Sequence, residues 1–232
     1  MIKNWRLTIN MLTNIIGEPP FLDALLMEEM AFRLGKNSRG EKFTRNSILS
    51  ECEEIPIPLC KKTISGIDVY QCSDPIYKVK FSELHHHSKR FDCDHNAIIL
   101  HPSERKSLLI ASGPFKMRYV AEPVNMIDKI VYFFRGDRME VNKLLKSKKY
   151  IGKKRNIGYG WVKNFEFEET ELNLSIVYIE KLTIMTNEEE CFLMKTIPQD
   201  PDYYFNNARK SYGACKPPYW HPENQMEVFK PC

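Results

Sequence analysis

Trp5, Leu7, Ile9 and Met11 fall at every second position between Trp5 and Ile16. Alternation of this kind is the period of a half-buried strand. Gly17-Glu18-Pro19-Pro20 breaks it. Leu22, Leu25, Leu26, Met30 and Leu34 then recur at helical spacing and predict a helix with one apolar side. Gly35 to Lys62 is charged and irregular, with Pro56 and Pro58, and reads as a loop-rich insertion. Ile64–Cys72 and Ile76–Phe81 are expected to form a hairpin around Ser73-Asp74-Pro75.

Short apolar runs at Ala97–Leu100 and Leu108–Ala111 lead to the turn Ser112-Gly113-Pro114. A stronger strand is expected over Ile127–Phe134, followed by a helix opening at Gly136-Asp137. Asp137 is placed to cap that helix, with Glu140 three residues on as in a capping box. Val141, Leu144 and Leu145 form its inner face. A basic loop over 148–160, a strand over Trp161–Phe167 and a further strand over Leu174–Met185 follow, and from Pro198 the tail is rich in Pro, Tyr and Asn. There is no internal repeat. The order strand, helix, strand-bearing insertion, strand, helix, glycine loop, strand predicts an α+β fold. If one insertion strand joins the sheet, the order is the ferredoxin-like β-α-β-β-α-β of RNA-recognition modules.

Composition narrows the class. The 232 residues are 43% hydrophobic, 28% charged and 12% aromatic, which suits one ordered domain carrying a large insertion and argues against disorder. The longest good apolar run, Ile130-Val131-Tyr132-Phe133-Phe134, is far short of a membrane span. No long apolar stretch follows Met1–Arg6, which argues against a secretory signal. Seven scattered cysteines, an odd number with no C-x-x-C pair, argue against a disulfide framework or zinc finger and fit a reducing cytoplasm. The net charge of +4 is unevenly spread: Lys129 to Lys163 holds 11 basic residues against Asp137 and Glu140, a local +9, so the remainder sums to −5. Clustered positive charge is what phosphate binding needs, although a solvated basic helix face would carry it too.

The segment richest in chemistry runs Lys148-Lys149-Tyr150-Ile151-Gly152-Lys153-Lys154-Arg155-Asn156-Ile157-Gly158-Tyr159-Gly160-Trp161. Gly152, Gly158 and Gly160 allow positive φ and close approach of a ligand, and peptide N–H groups here can cradle phosphate. Lys148, Lys149, Lys153, Lys154 and Arg155 add charge, Asn156 a polar amide, and Tyr159 and Trp161 faces for base stacking. The spacing G-x5-G-x-G leading into a strand is neither a Walker A loop nor a dinucleotide fingerprint. A tight surface turn with solvated lysines is the plainer reading of the same residues.

Two further clusters are candidates. Lys116, Arg118 and Tyr119 interleave basic and aromatic character after the Gly113-Pro114 turn, which suits single-stranded RNA; a strand edge with outward charges fits equally. His85-His86-His87 with Cys93, Asp94 and His95 is the densest set of metal-ligand types, yet its spacing matches no standard motif. With Lys89 and Arg90 nearby, His87 is better read as part of a basic edge that meets RNA or a partner. No metal or other cofactor is expected. Tyr203, Tyr204, Tyr212, Tyr219 and Trp220 suit packing or subunit contact, and His101 and His221 are read as structural.

Several segments in order carry a family resemblance: Leu22-Asp23-Ala24-Leu25-Leu26, Ser112-Gly113-Pro114-Phe115-Lys116, Gly136-Asp137, Ile151-Gly152-Lys153-Lys154-Arg155 leading to Gly158-Tyr159-Gly160, and Pro217-Pro218-Tyr219-Trp220. Together they span nearly the whole chain, which resembles the RAMP superfamily of CRISPR proteins, and within it the type IV backbone subunit that caps the crRNA five-prime handle. The resemblance implies a non-catalytic RNA-binding subunit with a ferredoxin-like palm (1–34 and 113–190), a thumb-like inserted lobe (35–112) and a C-terminal extension (191–232). It implies crRNA, neighbouring backbone and large subunits, and target DNA reached through the complex as partners. Trp161 departs from the pattern, since a basic residue would be expected after the glycine pair; it either contacts phosphate or packs in the core. Some RAMP relatives cleave repeat RNA with histidine, tyrosine or lysine, so His85, His86, His87, Tyr119 or Lys116 are the residues a repeat-cleaving alternative would recruit. An alternative outside the family is a protein-interaction module whose basic loop binds an acidic protein.

Overall fold

The computed structural model describes residues 1–33, 55–89, 118–181, 189–200 and 205–232. In chain order these hold β1 (Ile2–Met11), β2 (Ile15–Ile16), α1 (Leu22–Arg33), β3 (Lys61–Ile64), β4 (Ile67–Tyr70), β5 (Ile76–Tyr77), β6 (Phe81–Lys89), β7 (Arg118–Met126), β8 (Lys129–Asp137) and α2 (Arg138–Leu145). They continue through a 3-10 turn (Arg155–Ile157), β9 (Val162–Glu169), β10 (Val177–Lys181), β11 (Glu189–Leu193), β12 (Ile197–Pro198), β13 (Ala208–Ala214), a second 3-10 turn (Pro222–Asn224) and β14 (Gln225–Pro231). Antiparallel sheets with two helices among the described residues make this an α+β protein.

The principal sheet has the strand order β5-β8-β1-β9, every pair antiparallel. α1 follows β1 in the chain and α2 follows β8. The predicted alternation sorts β1 as expected: Trp5, Leu7 and Ile9 are buried, while Arg6, Thr8 and Asn10 are not. β8 contributes Ile130, Tyr132 and Phe134 to the same core, and the helices close it with Leu22, Leu25, Leu26, Val141, Leu144 and Leu145. Truncating a fully buried leucine such as Leu26 to alanine costs about 2–5 kcal/mol. Asp137 caps α2 as predicted, its Oδ1 accepting from Met139 N at 2.9 Å and Glu140 N at 3.4 Å. Glu140 takes Lys143 as its partner.

The opposite face of this sheet carries polar side chains from β1 and β9. Arg6 pairs with Glu168 at 3.3 Å, and the Asn10 amide donates to Asn164 and Glu166.

The expected hairpin around Ser73-Asp74-Pro75 is corrected. The chain turns one element earlier, at Ser65-Gly66 between β3 and β4, where both residues have positive φ (49° and 77°). Cys72 and β5 instead both lie against β8, through Cys72–Phe134 and Ile76–Val131 pairs. Of the strand expected over Leu174–Met185, the described residues show Val177–Lys181, which pairs with β11; 182–185 lie outside the described residues. The runs at Ala97–Leu100 and Leu108–Ala111 and the Ser112-Gly113-Pro114 turn lie outside the described residues.

The C-terminal strands form a second packing centre in which Ile64 of β3 joins Ile176, Leu193, Ile197, Phe205 and Phe229. A wholly buried ionic cluster ties this centre to the main core. Lys195 Nζ lies 3.1 Å from Asp23 of α1, and the Tyr219 hydroxyl lies 2.9 Å from each Asp23 oxygen. Burial drives the Lys195 ammonium towards neutrality, but Asp23 together with Cys72, Tyr219 and Asp74 outweighs it and raises the group above its ordinary value. Phe21 stacks on Tyr219 at 4.3 Å.

Candidate nucleic-acid interface

The chain leaves α2 at Lys146 and enters a loop that β9 terminates. The loop is sewn to itself and to the segment after β1. Ile151 N donates to Gly160 O (2.9 Å), Val162 N to Lys149 O (2.9 Å) and Gly160 N to Asn14 O (2.8 Å). Thr13 sits between the two: its hydroxyl donates to Gly158 O and accepts from Trp161 N, both at 2.8 Å. Gly160 is required by shape, since a Cβ there would stand 1.8 Å from the Ile151 carbonyl oxygen, at φ +70°. Lys154 adopts φ +50° without being glycine, a conformation uncommon for a residue with a side chain.

Three of the five loop cations are matched by carboxylates. Glu28 of α1 accepts from Lys148 Nζ (2.7 Å) and Arg155 Nη2 (2.8 Å), and Lys154 pairs with Glu122 of β7. Burial alone would raise the Glu28 carboxyl, but hydrogen bonds and charge from Arg155 and Lys148 hold it below its ordinary value. The Lys154 ammonium likewise keeps Glu122 low. Lys149 and Lys153 are exposed and form no ion pair among the described residues. Five cations facing Glu28, Glu122 and Glu29, the last 3.9 Å from Lys148, leave a local excess of two positive charges.

The β6–β7 hairpin brings the histidine run to this loop. The register pairs His85 with Glu122 and His87 with Val120, putting these side chains on one face. There His85 Nδ1 lies 2.7 Å from the Tyr159 hydroxyl, and its Nε2 lies 2.6 Å from Glu83 Oε1. His87 sets its ring edgewise to Tyr159 at 6.1 Å, and its Nε2, shielded from solvent, has no hydrogen-bond partner among the described residues. His86 points to the other face and stacks on the exposed Tyr119, centroids 5.0 Å apart.

The structure therefore brings Lys148, Lys149, Gly152, Lys153, Lys154, Arg155, Asn156, Gly158, Tyr159 and Gly160 into one loop, with His87 against it and Tyr119 on the far side of the same hairpin. Lys89 and Arg118 are backbone partners at the end of that hairpin. Lys116 and Arg90 lie outside the described residues, as do Cys93, Asp94 and His95. Among the described residues no group of His, Cys, Asp and Glu is placed to hold a metal ion. Trp161 does not pack in the core: it is 45% exposed and stacked on Tyr150. Sequence reasoning passed over Glu28, Glu122 and Thr13. Glu28 and Thr13 meet the loop across more than 100 residues, Glu122 pairs with it from another sheet, and no local pattern marks any of the three.

The described residues thus set a cationic glycine loop against a histidine-bearing hairpin on an α+β frame. Residues 89–231 match the family of CRISPR type IV associated protein Csf3. That match covers more than half of the chain, and the chain belongs to this family, which places it in a type IV CRISPR system. The matched stretch takes in β7 through β14, including the loop, and leaves β1 and α1 outside. No curated protein matches the chain. Among the described residues no helix is long and apolar enough to cross a membrane.

Proposed function

We propose that the chain is a non-catalytic RNA-binding subunit of a type IV CRISPR effector. In this reading it caps the crRNA five-prime handle, joins the end of a backbone filament, and meets target DNA only through the complex. The observation that carries the reading is the convergence of the glycine loop and the β6–β7 hairpin. Tyr159 with His85 and His87, and Lys154 with Glu122, join the basic loop to a histidine-bearing hairpin far from it in sequence. Lys149, Lys153 and the His87 Nε2, which have no ion-pair or hydrogen-bond partner among the described residues, are then groups a phosphate or ribose can satisfy.

The finer fold assignment belongs here too. Strand order β5-β8-β1-β9, with α1 after β1 and α2 after β8, supports a ferredoxin-like RAMP palm. The nucleic acid is assigned to the loop and hairpin rather than to the open sheet face, because Glu166 and Glu168 on that face would repel phosphate.

The test is binding of repeat-derived RNA by the full chain across a salt series. The parent protein is expected to bind and not to cut. Changing Lys153, Lys154 and Arg155 together to Ala is expected to reduce the log–log salt slope by about 2, at ~0.7 for each phosphate neutralised by the parent side chains. Unchanged binding by the triple variant would remove the loop from the interface.

A second reading rests on one observation, the Tyr159–His85–Glu83 hydrogen-bonded chain, which is the arrangement a general base needs. Repeat-RNA cleavage without metal, abolished by His85→Ala, would favour that reading.

A further inference from the structure

Tyr159 is the aromatic residue that the loop sequence offers most directly to a base, yet its hydroxyl and ring edges are spent on His85 and His87. The open aromatic surface beside the loop belongs to Trp161. Its indole lies over the Tyr150 ring, centroids 6.0 Å and planes 29° apart, and still presents 45% of its area to solvent. Trp5, by contrast, is buried beneath the Arg138 guanidinium.

The Tyr150–Trp161 pair is held rigidly. Besides the Ile151–Gly160 and Val162–Lys149 bonds, Trp161 N donates to Thr13 Oγ1 at 2.8 Å and Trp161 O accepts from Leu12 N at 2.7 Å. A fixed aromatic face loses little freedom when a flat ligand settles on it. Exposed aromatic surface alone would suit a protein partner as well; the surrounding charge decides between them. Lys149 and Lys163 bracket the pair in sequence, Lys153 follows three residues after Tyr150, and none of the three is in an ion pair among the described residues. An aromatic face on a segment rich in lysines without ion pairs is the combination by which single-stranded nucleic acid is held, bases on rings and phosphates on cations.

We propose that Tyr150–Trp161 is a stacking platform for one unpaired nucleobase of the RNA whose phosphates lie on the glycine loop. This rests on the RNA-binding reading above and names the base contact which that reading lacks. Trp161 bears the base and Tyr150 backs it.

The experiment is a double comparison on the full chain. The probes are a repeat-derived single-stranded RNA of about eight nucleotides and versions of it with one base at a time replaced by an abasic ribose. Trp161→Ala is expected to weaken binding of the intact RNA about tenfold, while Trp161→Phe keeps most of the affinity. One abasic position is expected to cost the parent protein about the same factor and to cost Trp161→Ala nothing further. The proposal is overturned if Trp161→Ala binds intact RNA as the parent does. It is also overturned if that variant is weakened by the same factor on every abasic probe, which would mark a structural role. Weakened association with a neighbouring CRISPR subunit, with RNA affinity intact, would likewise overturn it and assign the patch to protein contact. The Lys153, Lys154 and Arg155 triple variant on the same probes keeps the two ideas apart. If it lowers the salt slope while Trp161→Ala is silent, the platform falls and the RNA-binding reading stands; if neither variant has an effect, both fall.

Discussion

Two cation–carboxylate–tyrosine constellations stand among the described residues, and they differ in burial. Lys195, Asp23 and Tyr219 sit with the lysine and carboxylate side chains essentially inaccessible, inside the seam between the principal core and the C-terminal strands. Lys148, itself buried, and the more open Lys154 and Arg155 meet Glu28 and Glu122 at the glycine loop, with Tyr159 alongside. In the first, water is excluded and no ligand can compete, so the ions answer only to each other. In the second, the carboxylates hold the loop's cations from positions nearer solvent. The difference separates a buried joint from a partly open loop, although both are made from the same residue types.

The largest effect is expected from disturbing the buried joint. Lys195→Ala leaves Asp23 charged and uncompensated in the interior and is expected to cost about 3–5 kcal/mol, read as a lower midpoint in urea or thermal unfolding. Replacing Lys195 by Met and Asp23 by Asn together is expected to recover much of that stability, since no lone charge remains. A Lys195→Ala protein as stable as its parent would show that the seam does not depend on this pair.

A smaller effect is expected at the loop. Gly160→Ala puts a methyl group against the Ile151 carbonyl at positive φ and is expected to cost about 1–3 kcal/mol, with RNA binding reduced more than global stability. Hydrogen exchange at Ile151 and Val162 would locate the damage, because both amides close the loop's neck.

The smallest effect concerns acid. The folded-state carboxyl of Glu28 lies below its ordinary value of 4.5, so its contribution is present above that value and disappears as pH falls through the lower folded one. Fluorescence of Trp161, anchored to the same loop, is expected to change over that acid range in the parent protein and to change less in Glu28→Gln. An identical acid limb in both would detach Glu28 from loop docking.

What the chain reveals before folding follows the range of the forces involved. β1, β8, α1 and α2 are legible because burial imposes period 2 or 3.6 on their apolar residues, and the Asp137 cap is a contact between near neighbours. The β3–β4 turn is not, because Lys61, Lys62 and Thr63 are exposed and give no alternation, so the proline turn further on carries the stronger signal. β6 hides in the same way: Phe81 through His86 carry little buried surface, and its partner β7 begins 29 residues after β6 ends. The basic glycine loop is visible from composition alone, but its neutralisation by Glu28 and Glu122 is not, since those contacts join residues brought together only by the fold. The stacking of Trp161 on Tyr150, outside the core, depends on residues 150 and 161 facing each other across the loop's neck, which no local pattern announces.

RNA binding at the glycine loop is tested most directly by purifying the protein from cells that carry its own type IV CRISPR neighbourhood and sequencing the RNA that accompanies it. Uniform short RNAs that share one repeat-derived five-prime handle are expected, with ultraviolet crosslinks falling between Gly152 and Trp161. An intact multi-subunit preparation that contains the protein but no RNA would contradict this function.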